Sequence, residues 1–141
     1  MDFGDYQYEA RRTQRKDLPL WALREHALFG LSSEVGEVMG IHQKVHQGHP
    51  LDETALRLEI GDIMWFISEL CDVYGWSMED IAIANIQKLR VRYKDKFSAE
   101  QSIARVDTLQ KGPVRKEQKR DPVRSKYYSS LKEVKEQEAR T

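Results

Sequence analysis

The 141-residue sequence predicts an all-α fold, and three observations carry that prediction. Apolar residues recur at the three- and four-residue spacing of a helix face over most of the chain. No stretch of useful length alternates apolar and polar residues as a half-buried strand would. The periodic segments are bounded by helix-start and helix-stop residues rather than by hairpin turns. Elements of this kind bury their stripes against one another, so the expected architecture is a bundle of four to five helices around one core, a size that a single domain of this length can sustain.

The first element is a short helix over residues 5–16. It stops before Leu18-Pro19, because the residue ahead of a proline is disfavoured in α geometry, and Tyr6, Ala10 and Thr13 fall on the side that would rest on the core. A long second helix runs from about Leu20 to His46, with Gly48 and Pro50 as its stop. Asp52 is placed to cap a third, which carries Leu56, Ile60, Ile63, Ile67, Leu70 and Tyr74 as its main apolar stripe and ends at Gly75. Ser77-Met78-Glu79-Asp80 has the form of a capping box with Asp in the place of Glu, and opens a fourth helix to about Tyr93. Ser98-Ala99-Glu100-Gln101 starts a last short one. Beyond Thr108 the periodicity ends, and Lys111-Gly112-Pro113 and Asp121-Pro122 punctuate a stretch of Lys, Arg, Glu and Gln. Residues 1–107 are therefore read as the folded domain and 108–141 as a basic, peripheral or flexible extension, in which Tyr127, Tyr128, Leu131 and Val134 are spaced for a turn or two of amphipathic helix.

Composition narrows the function classes. Charged residues make up 33% and the mean hydropathy is −0.70, which predicts a soluble protein. No apolar run approaches the length needed to span a bilayer, so no membrane partner is expected. Met1-Asp2-Phe3-Gly4-Asp5 lacks the basic and apolar parts of a signal peptide, and the single Cys71 excludes an internal disulfide. Cytoplasmic residence is the expectation that follows. The net charge is zero but unevenly placed: residues 1–110 hold 13 Lys+Arg against 18 Asp+Glu, while 111–141 hold 10 against 5. That tail has neither the basic density nor the interleaved aromatics of a nucleic-acid binder, so no nucleic-acid partner is expected.

The informative stretch is Leu31 to Leu70. It contains Glu34-Val35-Gly36-Glu37 and Glu59-Ile60-Gly61-Asp62, each a pair of carboxylates at i and i+3. Three residues fall about 60° short of a full helical turn, so each pair shares a face. Leu20, Leu23, Ala27, Gly30, Glu34, Glu37 and Ile41 form one seam, and Ala55, Glu59, Asp62, Phe66 and Val73 form another. The acids thus stand where apolar residues belong, with no Lys or Arg in either seam. Carboxylates crowded between helices repel and lose hydration, which forces protonation or recruits a cation. An all-oxygen set suits Mg²⁺, or Mn²⁺. Gly30, Gly36, Gly40 and Gly61 lie inside predicted helices, where each costs on the order of 1 kcal/mol relative to Ala. Close helix approach or room for a ligand would compensate. On the fourth helix Asn85, Lys88 and Arg92 line up as a polar and cationic stripe beside the core residues Ala82, Ile86, Leu89 and Tyr93, and fixed cations near a metal are what a polyphosphate requires.

Glu34-x-x-Glu37, a 21-residue spacer, Glu59-x-x-Asp62 and then Asn85-Ile86-Gln87-Lys88-Leu89-Arg90-Val91-Arg92-Tyr93 closely resemble the all-α nucleotide pyrophosphohydrolases, the MazG-like superfamily that also includes dimeric dUTPases. The resemblance covers about residues 5–105. It implies a Mg²⁺-dependent hydrolase that cleaves a nucleoside triphosphate, NTP or dNTP, between the α and β phosphates to a monophosphate and pyrophosphate, in a bundle completed by assembly as a homodimer or homotetramer. It also implies that Glu37, Glu59 and Asp62 are metal ligands, that Glu34 is a ligand or the base for the attacking water, that Lys88 and Arg92 hold phosphate oxygens in catalysis and binding, and that Asn85 binds phosphate or sugar. Trp21 is expected on the same broad side as the first acidic pair, where it could stack on a base. His42 and His46 have a Zn²⁺-compatible spacing but no complementary Cys or acid. Two other readings compete. A di-iron or di-manganese oxidase would use Glu-x-x-His repeats, and neither pair has His at i+3. A non-catalytic or slow nucleotide sensor or interaction protein would keep the fold and the binding residues.

Overall fold

The computed structural model describes residues 1–108, in which the chain forms five α-helices and, among the described residues, no strand. The fold is the all-α class expected. The basic extension beyond residue 108, with its Tyr127, Tyr128, Leu131 and Val134 spacing, lies outside the described residues. The chain divides into two compact units, Met1–Ser77 and a second that begins at Met78.

In the first unit α1 spans Phe3–Ala10 and passes into a 3-10 turn at Arg11–Thr13, so the helix starts and ends earlier than its periodicity suggested. The reason for the early start is Asp2: its carboxylate accepts from Asp5 N–H at 2.8 Å while Asp5 accepts from Asp2 N–H at 3.2 Å, a reciprocal capping box. Next, α2 spans Leu20–His46 and α3 spans Glu53–Tyr74. The boundaries follow the expected signals. Asp52 accepts from Ala55 N–H at 2.9 Å, and Gly75 closes α3 in the left-handed region with φ 69°, which lets Trp76 N–H reach Cys71 O at 2.8 Å.

Short connection 47–52 folds α2 and α3 into an antiparallel pair, and the residues that face across it are those of the two acid-bearing seams. The stripe expected to dominate α3 is not the one α2 covers: Ile60 and Ile67 are 46% and 37% exposed. Helical geometry explains this, because a stripe through Leu56, Ile60, Ile63, Ile67, Leu70 and Tyr74 lies about 100° around from the Glu59-Asp62-Phe66 seam. The opposite flank of α3 carries α1. Tyr6 hydroxyl meets Gly61 O at 3.5 Å, Trp65 Nε1 donates to Thr13 Oγ1 at 2.8 Å, and Gln7 and Arg11 both bond the fully buried Asp72.

Gly30 is where the hairpin closes most tightly. A β-carbon there would fall inside the Phe66 ring, and that ring is held by Trp65 edge-on at 4.9 Å and by His26 at 5.7 Å between centroids, so it has little freedom to yield. Gly30→Ala is expected to destabilise the protein by about 1–3 kcal/mol, the usual cost of overpacking. Adding Phe66→Leu should recover part of the loss, and thermal melts of the single and double variants check it. No recovery in the double variant would mean the glycine is required for some other reason. Gly36, Gly40 and Gly61 have no such neighbour.

The second unit contains α4 (Met78–Arg92) and α5 (Ala99–Ala104). Ser98 caps α5 by accepting from Gln101 N–H, and Arg105 ends it with φ 49°. A 3-10 turn at Val106–Thr108 brings Asp107 back to α4, where its carboxylate takes Arg92 Nε and Nη2, each at 2.7 Å. Among the described residues no helix is long and apolar enough to cross a membrane.

Candidate metal centre

Glu34 rises from α2 and Glu59 and Asp62 from α3, and one carboxylate oxygen of each lies within 4.8 Å of the others. Because α2 and α3 run antiparallel, the i,i+3 pair on α3 straddles the level of Glu34. Glu34 and Glu59 are half-buried and Asp62 is exposed, so the cluster opens to solvent on the Asp62 side. Glu34 is held above the ordinary carboxylate range, first by burial and then by the charges of Asp62 and Glu59, a hydrogen bond with Glu59, and the charge of Glu37. Tyr6, whose hydroxyl meets the Gly61 carbonyl, is likewise pushed up by burial and then by Asp62. Among the described residues none of the three carboxylates forms an ion pair. Three hard oxygen donors, mutually repelling and without a basic side chain to balance them, fit a divalent cation.

That crowding has a testable sign. A carboxyl whose folded pKa is raised binds its proton more tightly folded than unfolded, so its relative contribution to stability is fully present below the unfolded value of about 4 and is lost as pH rises through the folded value. In the absence of divalent metal, Tm of Glu34→Gln minus Tm of the wild type is expected to grow as pH rises from about 4 toward 7, because only the wild type pays for ionising Glu34. Mg²⁺ at neutral pH should shrink that difference by stabilising the wild type. A difference that stays flat with pH would show that Glu34 is not crowded by its neighbours.

The other expected site residues are placed less tightly. Glu37, one turn beyond Glu34, is exposed and outside the triplet, acting on Glu34 through its charge. Trp21 is 60% exposed on α2, about 140° around the helix from the Glu34 direction. In the second unit Asn85 and Lys88 are exposed on α4. Arg92 places one edge of its guanidinium, Nε and Nη2, on the two oxygens of Asp107, which holds the Asp107 carboxyl below its usual range.

Two polar groupings went unread in the sequence. His26 Nδ1 lies 2.8 Å from Glu69 Oε2, with Glu69 1% exposed. Gln7 Nε2 and Arg11 Nη2 converge on Asp72 Oδ1 at 2.7 and 2.6 Å. A signal for the first was present: the α3 seam runs Glu59, Asp62, Phe66, Glu69, Val73 without a break, and Glu69 is a third acid at a core position.

Comparison with known proteins follows the same residues. The family model of the MazG nucleotide pyrophosphohydrolase domain matches residues 24–97, a span that contains the carboxylate triplet and Asn85, Lys88 and Arg92. No curated protein and no solved structure matches the chain. With just over half of its length matched to that model, the chain belongs to the MazG nucleotide pyrophosphohydrolase family.

Proposed function

We propose that this protein is a divalent-metal-dependent nucleoside triphosphate pyrophosphohydrolase that cleaves between the α and β phosphates, releasing a nucleoside monophosphate and pyrophosphate. The observation that carries the proposal is the carboxylate triplet at an open edge of the α2–α3 pair, uncompensated by any basic side chain among the described residues. Glu34, Glu59 and Asp62 would hold Mg²⁺, or Mn²⁺, with Glu37, one turn along α2, as the fourth candidate ligand. When bound, such an ion screens phosphate charge and lowers the pKa of water. Glu34 is the candidate base. Placed in the triplet, it would draw the proton from the water that attacks phosphorus. Lys88 would hold phosphate oxygens and stabilise charge on the departing pyrophosphate, Asn85 would bind phosphate or sugar, and Arg92 would reach phosphate by yielding part of its fork on Asp107.

Residues 1–107 are proposed to form the catalytic domain, with the basic tail outside it. Exposed Leu28, Phe29, Val35 and Met39 on α2, together with Leu58, Ile60 and Ile67 on α3, support completion of the bundle by a second copy, as a homodimer or homotetramer. A free, buried Cys71 is in keeping with the cytoplasm.

The test is pyrophosphate release from a panel of canonical and modified NTPs and dNTPs, with Mg²⁺ and with a chelator. Metal-dependent release with the monophosphate as co-product is the expected result. Tight nucleotide binding with no product would favour the sensor reading instead.

A further inference from the structure

We propose that His26 and Glu69 form a base-reading subsite, in which Glu69 fixes the imidazole and His26 Nε2 accepts a hydrogen bond from an N–H on the edge of the nucleobase. This inference rests on the nucleotide reading above.

The placement comes from helix geometry. On α2, His26, Gly30 and Glu34 follow one another at four-residue steps; on α3, Asp62, Phe66 and Glu69 do so at four and three. Because the helices are antiparallel, these residues meet as three levels: the acids, then Phe66 against Gly30, then His26 with Glu69. Seven residues separate Asp62 from Glu69 and eight separate Glu34 from His26, so the His26 level lies roughly 10–12 Å along the bundle from the carboxylates. A nucleoside covers a span of that order between its 5′ oxygen and the far edge of its base.

The chemistry at that level suits recognition. Glu69 Oε2 lies 2.8 Å from Nδ1 and engages that nitrogen, so Nε2 is the ring atom left to meet a ligand, and in the tautomer that donates Nδ1–H to Glu69 it accepts. The His26 side chain is 37% exposed while that of Glu69 is 1% exposed, so the carboxylate is sheltered and the imidazole reaches outward. No hydrogen bond to Nε2 forms among the described residues. Burying Glu69 is costly: its Oε1 has no partner, and neither does the neighbouring Ser68 Oγ, both fully enclosed. A core that needed only packing would place an apolar side chain at this seam position. The Phe66 ring lies 5.7 Å from the imidazole between centroids, at the level between His26 and the carboxylates.

The ligand class is a nucleotide whose base turns a ring imide or exocyclic amine toward Nε2, and the site should reject one whose N–H is alkylated. The test is equilibrium binding, by calorimetry with Mg²⁺, of α,β-methylene dNTP analogues with intact or N-alkylated base edges, and of the corresponding deoxyribose triphosphate analogue without a base. Wild type is expected to prefer intact edges by at least about tenfold, the worth of one hydrogen bond at a partly buried site. His26→Phe should erase that preference while leaving affinity for the base-free analogue within about twofold, since its phosphates meet residues away from His26. Glu69→Gln can meet Nδ1 with either amide atom, so it should weaken the preference without abolishing binding. An unchanged preference in His26→Phe, or equal loss for every analogue including the base-free one, overturns the subsite, as does wild type binding no analogue. Using binding rather than turnover keeps the two claims apart: discrimination without pyrophosphate release would leave the subsite standing and remove the hydrolase.

Discussion

Asp62→Asn is expected to lower kcat/KM for a nucleoside triphosphate by about a hundredfold to a thousandfold, the range seen when one preorganised electrostatic contact to a reaction centre is removed. The variant is close to isosteric, and Asp62 is the exposed member of the triplet, so loss of folding cannot account for loss of rate. Stability should move the other way. Asp62 is the largest charge acting on Glu34, and neutralising it relieves repulsion in the metal-free protein. A variant that melts slightly higher without metal, responds less to Mg²⁺ and turns over poorly would bear the signature of a carboxylate retained for chemistry at the expense of stability. Adding Glu59→Gln should cost much less than a second hundredfold, because residues that serve one ion act as a unit. Pyrophosphate release under saturating Mg²⁺ decides the matter, and activity within about threefold of wild type would dissociate the triplet from the reaction.

How far the sequence could be read depended on whether a feature is local. Asp52, Gly75 and Ser98 act on backbone groups within three or four residues of themselves, and each sets a helix boundary where expected. The acid seams were legible for the same reason: spacing along one helix fixes which side chains share a face. What spacing cannot decide is which face a neighbour chooses. On α3 two apolar-compatible sides lie about 100° apart. The richer one, through Ile60 and Ile67, was the natural choice, yet α2 took the acid-bearing side and left both isoleucines substantially exposed. Pairings distant in sequence were out of reach altogether. Nothing near Arg92 announces Asp107, and the separations from His26 to Glu69 and from Gln7 to Asp72 are forty-three and sixty-five residues.

The largest stability effect is expected from Asp72→Ala, at about 3–5 kcal/mol, the cost of removing one partner from a buried ion pair. Asp72 has no exposed surface. It takes Arg11 through Nε at 3.0 Å and Nη2 at 2.6 Å, and Gln7 Nε2 at 2.7 Å, while the same Gln7 nitrogen also reaches Trp76 O at 2.9 Å. A single carboxylate therefore ties α1, the 3-10 turn after it and the C-terminal end of α3 together. Removing it leaves a guanidinium with only 12% of its side-chain surface exposed and a fully buried amide deprived of that acceptor. For a domain of this size the change corresponds to a fall in Tm on the order of 15 °C or more. An apolar pair should be milder: Arg11→Met with Asp72→Leu removes both charges at once, and by the logic of buried pairs the double variant should melt well above Asp72→Ala. Should the double variant melt as low as the single one, the network would be contributing through packing rather than charge. α1 lies on the flank of α3 next to Asp62, through Tyr6 and Gly61. Loosening α1 is therefore expected to weaken Mg²⁺ binding in Asp72→Ala even at temperatures where the protein remains folded.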